Sequence, residues 1–193
     1  MKETGGYDVL RLIEHNEKCY VSSEYVEGKP LIQWLKYHPN LSKEQLFSWI
    51  HELAKQLEYI HKCRGNPCYR YVNPYSIIIT KEKMLYLLDM NAKSSEQELL
   101  LMRRRKVREH FLPPEEAYYQ TESVSLDIYG LGKTIQYLLA MSQPDPNLTL
   151  WEEIRFQKII KKSLNRHSKG AYAQVSELRR QLPVYHERKK HLL

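Results

Sequence analysis

Two kinds of side chain in this sequence have the type and spacing to do chemistry without help from any neighbour: thiols and clustered cations. Cys19, Cys63 and Cys68 are odd in number and form no CxxC pair. Paired thiolates are what a metal or redox site needs, so buried or idle thiols are the plainer reading. The cations are unevenly placed within a net charge of +7. Residues 1–154 carry 19 Lys/Arg against 21 Asp/Glu, whereas residues 155–193 carry 11 against 2. A second cluster, Arg103-Arg104-Arg105-Lys106 with Arg108, sits mid-chain. As a solvated face these charges aid solubility; as a contact they suit something acidic, a partner protein, anionic lipid or nucleic acid. Aromatic residues among the C-terminal cations are few (Phe156, Tyr172, Tyr185), so base stacking is weakly supported and nucleic acid is not the expected partner. Gly5-Gly6 lacks the GxGxxG spacing of a phosphate-binding loop.

The elements that must position such residues follow from periodicity. A chain of 193 residues, 42% hydrophobic and 27% charged, supports one well-buried core. No apolar run approaches the roughly 20 residues that span a bilayer, and MKETGGYDV has no signal-peptide block, so a cytoplasmic location is expected. Residues 8–26 read as two short strands around a turn at Asn16, after which Gly28 and Pro30 break regularity. Residues 31–38 suit a short helix ending at Pro39. From Ser42, a candidate N-cap, Leu46, Trp49, Ile50, Leu53, Leu57 and Ile60 recur on one helical face. A hairpin follows, 76–80 and 84–88 around Lys81-Glu82-Lys83. Residues 94–106 suit a helix, with capping-box spacing at Ser95 and Glu98. Further helices follow Asp127 (Ile128, Leu131, Ile135, Leu138, Leu139) and carry Ile154, Ile159, Ile160 and Leu164, then Val175, Leu178 and Leu182; residues 143–148 read as a loop. The class is mainly α (α+β), a helical domain with short antiparallel hairpins.

Six segments, in order and in register, carry a resemblance to a known family. Glu24-Tyr25-Val26-Glu27-Gly28 is similar to the hinge between the lobes of protein kinases. The helix ending Leu57-Glu58-Tyr59-Ile60-His61 is similar to the one before the catalytic loop. Tyr69 to Ile77 aligns without gaps with HRDLKPENI, Asp89-Met90-Asn91 falls at DFG, Pro113-Pro114-Glu115 at APE, and Asp127 to Gly132 at DxWSxG. The chain therefore resembles a protein kinase C-terminal lobe beginning at the fourth small-lobe strand. The implied division is a residual small-lobe hairpin and hinge over 1–28, the C-terminal lobe over 29–183 and a basic tail over 184–193.

The resemblance implies a loss of chemistry. The loop aspartate that orients the substrate hydroxyl and takes its proton is Tyr71, and a phenol holds its own proton at neutral pH. The phosphate-contacting lysine is Asn73, and the second magnesium ligand is Ser76. Asp89 alone remains as a hard oxygen ligand for Mg²⁺, with a turn or cap aspartate as the competing reading. A nucleotide would meet the hinge at Glu24 and Val26, with Ile78 in its floor, so no cofactor is required and ATP with Mg²⁺ is expected to bind weakly at most. Asp127 keeps a structural role, bonding catalytic-loop amides. Between Asp89 and Glu115 the only hydroxyl residues are Ser94 and Ser95, which makes phosphorylation control of that segment doubtful. The arginine that would pair with Glu115 falls on Ala171.

The expectation is a catalytically inactive, pseudokinase scaffold rather than an enzyme. Its partner would be another protein or a second copy, meeting strand edges and apolar surface left bare by the reduced small lobe. Two other readings stand beside it. One is a divergent serine/threonine kinase using Asp89. The other is a membrane-proximal module whose basic C-terminal region touches anionic lipid at the cytoplasmic face of a membrane.

Overall fold

The computed structural model describes residues 5–63, 68–114 and 124–185. The chain opens with a hairpin, β1 (Gly5–His15) against β2 (Lys18–Pro30), in register from Gly5↔Gly28 to His15↔Lys18. Its turn residues Asn16 and Glu17 have φ of 49° and 59°. That doubly left-handed turn matches the twist of the strands, and Asn is among the residues that tolerate it. The turn falls where expected, but the strands are longer. β2 runs unbroken through the segment read as a hinge, and its far end pairs with residues 78–80. Gly28 permits that approach: a Cβ there would lie 2.5 Å from Ile78 Cγ2 and 2.8 Å from the Ile79 carbonyl oxygen.

Helix α1 (Leu31–Tyr37) leads through β3 (Asn40–Ser42) into α2 (Lys43–Cys63). Ser42 caps α2 as expected, its hydroxyl accepting the Gln45 amide at 3.0 Å. The apolar stripe from Leu46 to Ile60 is buried along its whole length. The second hairpin, β4 (Ile77–Thr80) and β5 (Leu85–Leu88), lies across α2. Two polar side chains of α2 fasten it. The Trp49 indole donates to the Lys83 carbonyl at 2.8 Å, and the buried Gln56 amide donates to Leu85 O at 2.9 Å and accepts from Leu87 N at 3.1 Å.

β1 also pairs with β5, at Val9↔Leu88 and Leu10↔Leu87. The strands β1, β2, β4 and β5 thereby close into a small barrel. The bare strand edges expected of a reduced small lobe are thus paired at the base of the hairpin, because closure satisfies ladder groups that an isolated hairpin would expose.

A 3-10 turn at Lys93–Ser95 precedes α3 (Glu96–Met102) and α4 (Arg105–Phe111), where one helix over 94–106 was expected. Ser95 stands at the N-cap position of α3 but makes no cap bond: its hydroxyl donates to the Asp89 carbonyl instead. The break falls at Arg104, whose extended ψ of 137° separates the two helices within the run of four cations. Helix α5 (Val124–Met141) crosses the core; β6 (Gln143–Asp145) then pairs in parallel with β3, inside the stretch expected as loop. Helix α6 (Leu150–Leu164) opens with a capping box between Thr149 and Glu152, and α7 (Val175–Gln181) packs on α2. One core unites α1, α2, β4, β5, α5, α6 and α7. Within α6 the core contacts come from Phe156, Ile159 and Ile160, whereas Ile154, expected among them, is 60% exposed. The mainly helical fold with antiparallel hairpins is as expected.

Candidate functional site

The loop between α2 and β4 is built around one carboxylate. Asp127, in the first turn of α5, is fully buried. Its Oδ2 accepts the Tyr69 amide at 2.6 Å and lies 2.8 Å from His61 Nε2, while Oδ1 accepts the Arg70 amide at 2.7 Å. Arg70 has φ of 72°, a left-handed conformation that costs a non-glycine residue and persists where its surroundings over-determine it. The two amide bonds supply that determination. Gly130, one helical turn on, lets α5 reach the loop: a Cβ there would lie 2.6 Å from the Val72 carbonyl oxygen. The structural role expected of Asp127 is met in full.

The side chains of Asn73 and Ser76 are spent on the loop itself. Tyr71 is half-buried against the core, and its carbonyl accepts from Asn73 Nδ2 at 2.8 Å and from Ser76 Oγ at 2.5 Å. Asn73 is buried; its Oδ1 accepts the Tyr75 amide at 2.9 Å, and Nδ2 also lies 3.0 Å from Met102 Sδ. Ser76 is fully buried and accepts from Asn73 N at 3.2 Å. Tyr69 closes the loop from beneath, donating to the Leu88 carbonyl at 2.7 Å. Burial drives its phenol far above the ordinary range, outweighing the Ser76 hydroxyl.

The opposite wall is where Val26, Ile78 and Asp89 were expected to meet a nucleotide. The structure brings Val26 and Ile78 together, beside Leu88, and adds β1 to them. Val9, Ile78 and Leu88 form a cluster with no exposed surface, and Tyr7, Val26, Tyr86 and Met90 pack around it. Glu24 pairs across the ladder with Val9, and its carboxylate turns to Arg11 of that strand, 3.1 Å away. Asp89 is half-buried and behaves as a turn residue: Oδ1 accepts the Asn91 amide at 3.1 Å. Its backbone amide donates to Asp8 O at 2.8 Å.

Asp8 and Tyr7 have no counterpart in the sequence reading. The Asp8 amide donates to Ser94 Oγ at 2.8 Å, and that hydroxyl donates to Asp8 Oδ2 at 2.7 Å. Tyr7 bonds to Glu98, and burial together with that carboxylate pushes its phenol up to about 12. The start of β1 is thus latched to the segment after Asp89. No local pattern announces contacts 86 residues apart. Glu115 and the tail from 186 onward lie outside the described residues.

A carboxylate at the head of a helix straps a left-handed loop residue, that loop leads into an apolar hairpin, and the hairpin ends at an aspartate. This is the framework of a protein kinase C-terminal lobe. The chain belongs to the protein kinase domain family, whose model matches residues 7–186. It is similar to a probable serine/threonine-protein kinase of Clostridium acetobutylicum, 26% identical over 115 residues, covering 58% of this chain and 17% of that protein. A probable serine/threonine-protein kinase of Clostridium perfringens is 29% identical over 127 residues, 65% of this chain and 18% of that one. Serine/threonine-protein kinase B of Synechocystis sp. is 25% identical over 205 residues, 93% of this chain and 35% of that one. The chain thus spans between 17% and 35% of the length of these relatives. Among solved structures, the apo form of PpkA-294 superposes with a TM-score of 0.60 at 20% identity, over 91% of this chain and 67% of that one, which speaks to the fold. Among the described residues no helix is long and apolar enough to cross a membrane, and no group of three or more His, Cys, Asp or Glu side chains gathers as a metal site.

Proposed function

We infer that this is a kinase domain without phosphotransfer activity, a pseudokinase that works as a protein-interaction scaffold. One observation supports this above the others: Tyr71 stands where a carboxylate is needed, in a loop whose Asn73 and Ser76 side chains are hydrogen-bonded within it. Mg²⁺ wants near-octahedral oxygen donors, and its usual kinase ligands are two side chains. Here Ser76 is buried with its hydroxyl committed, and Asp89 holds a turn. The residues present do not fit a Mg²⁺–nucleotide. Val9 on Ile78 adds a steric reason, since an adenine on that face would have to displace β1. A general base alone contributes about 10²–10⁴-fold, so its loss with both partners leaves transfer near background.

The surface offered to partners is the first hairpin, where Ile13 and Tyr20 are exposed on one face and Tyr25 on the other. Another protein, or a second copy, is the proposed occupant. The names of the curated relatives favour the competing reading, a working serine/threonine kinase.

Calorimetric titration with ATP, with and without Mg²⁺, and a radiolabelled transfer assay separate the two. The scaffold reading expects no saturable heat below millimolar ATP and no transfer. Transfer that Asp89→Ala abolishes would establish the kinase instead.

A further inference from the structure

Helix α6 has an outward face that its packing leaves bare. Phe156, Ile159, Ile160 and Ser163 face the core. On the opposite side Leu150, Trp151 and Ile154 are 73%, 61% and 60% exposed. They are continuous with Leu139 and Leu148, which line a shallow hollow with Leu150 and Ile154. The same face changes character along its length. One and two turns beyond Ile154 come the exposed Lys158 and Lys161. Arg155 holds its guanidinium 4.9 Å over the Trp151 ring, steadied by a bond from Nε to the Gln181 carbonyl at 2.9 Å. Of the acidic residues nearby, Glu152 is tied to Lys43, and Glu153 lines the same hollow, one carboxylate against the three cations.

Protruding Leu, Trp and Ile side chains beside Arg and Lys form the pattern of a helix that lies in a membrane interface. The indole sits at headgroup level and the cations meet lipid phosphates. The charge is complementary to an anionic bilayer: three cations at the patch, within residues 150–193, which carry 11 Lys/Arg and 4 Asp/Glu. We propose that this face of α6 docks the domain onto anionic lipid, with Leu150, Trp151 and Ile154 entering the interface and Arg155, Lys158 and Lys161 contacting headgroups. This is independent of whether the domain transfers phosphate, and it places lipid contact on a folded helix face rather than on the basic tail.

Trp151 makes the test direct, because the other two tryptophans, Trp34 and Trp49, are only 8% and 2% exposed. The probe is a phosphatidylcholine vesicle with or without about one-third phosphatidylglycerol. The expected result is co-flotation with anionic vesicles only, salt-sensitive, with a blue shift of Trp151 emission and quenching by brominated acyl chains. Flotation should fail in the double variant Trp151→Ser with Ile154→Ser. It should weaken about 30-fold in Lys158→Gln with Lys161→Gln, at roughly fivefold per surface cation. A triple variant of the tail (Arg188→Gln, Lys189→Gln, Lys190→Gln) should retain most of it. Both core tryptophans keep their surroundings in these variants, so an unchanged melting temperature checks folding.

Three results would overturn the proposal. They are no flotation at any anionic content, flotation that survives the Trp151/Ile154 pair but not the tail variant, and a concentration-dependent dimer that Trp151→Ser dissolves while vesicles bind nothing.

Discussion

Asp127→Asn is the substitution that most directly probes how the loop is held. The carboxylate accepts two backbone amides at 2.6 and 2.7 Å and faces His61 Nε2 at 2.8 Å, all in a site without solvent. An asparagine of the same shape keeps one acceptor oxygen and turns an NH₂ toward donors. Hydrogen bonds to a charged group contribute about 1.5–3 kcal/mol each, and a stranded buried donor costs a similar amount. One lost bond and one stranded donor together amount to about 4 kcal/mol. The left-handed Arg70 then loses half of what holds it, and its strain of about 1–3 kcal/mol is relieved only if the loop rearranges. For a chain of this size 1 kcal/mol moves the melting temperature by about 2–4 °C, so a fall of about 10 °C is expected by far-ultraviolet dichroism. Glu109→Gln is the control, since it removes a pair with Arg105 that is exposed on both sides and should change little. An Asp127→Asn protein melting within about 2 °C of the unaltered chain would show that the loop is held by something else.

Other perturbations probe other joints. Gln56→Leu removes both bonds from α2 to the β5 backbone and strands a buried amide and carbonyl; a loss of about 2–4 kcal/mol is expected in urea unfolding. Gly28→Ala drives a methyl group into Ile78 and the Ile79 carbonyl; overpacking of about 1–3 kcal/mol is expected, with faster amide exchange at residues 78–80. For Glu152, burial raises the pKa, but Lys43, the Thr149 amide and the Thr149 hydroxyl outweigh it and the net shift is downward. A carboxyl with a lowered folded-state pKa adds stability that is complete above its unfolded value, near 4.5, and is lost as pH falls through the lower one. Unfolding midpoints should therefore drop as the pH falls below about 5, and Glu152→Gln should flatten that drop while lowering stability at pH 7. Cys63 is pushed up to about 11 by burial and by the neighbouring Cys19 thiol. Mass-mapped alkylation at pH 8 should find it slow, with a rate that climbs toward pH 11.

What the sequence makes legible depends on how local the cause is. The stripe from Leu46 to Ile60 and the cap at Ser42 need only neighbours three or four residues away, and both are where the pattern puts them. The same holds for the Asn16 turn. The loop from Tyr69 to Ile77 is legible through its resemblance, and Asp127 performs the bonding that resemblance implies. The barrel is not legible, because Val9↔Leu88 joins strands 79 residues apart and neither strand carries a mark of its partner. Nor is β6, since Gln-Pro-Asp has no strand propensity and pairs only because the end of α5 delivers it beside β3. Ser95 misleads because its hydroxyl is turned to donate to the Asp89 carbonyl instead of accepting an amide of its own helix. Ile154 misleads because a helical stripe identifies an apolar face, not what covers it.

The loop keeps its left-handed Arg70 although Tyr71, Asn73 and Ser76 stand at the positions that the resemblance assigns to catalysis. Its geometry has a second user. The turn at Asn73 and Ser76 delivers Ile77 to Thr80 into β4, and the Leu88 amide donates to the Ser76 carbonyl at 2.9 Å, so the loop sets where both strands of the second hairpin begin and end. β1 and β2 dock on those strands, and the Asp8 carbonyl takes the Asp89 amide. A loop that relaxed around Arg70 would move the foundation of the whole barrel. The bonds from Asp127 therefore stabilise the barrel as much as the loop. If that reasoning holds, the amide exchange that rises most in Asp127→Asn should be found in β1 and β4, beyond the loop itself. Exchange confined to residues 69–76 would show that the barrel stands without it.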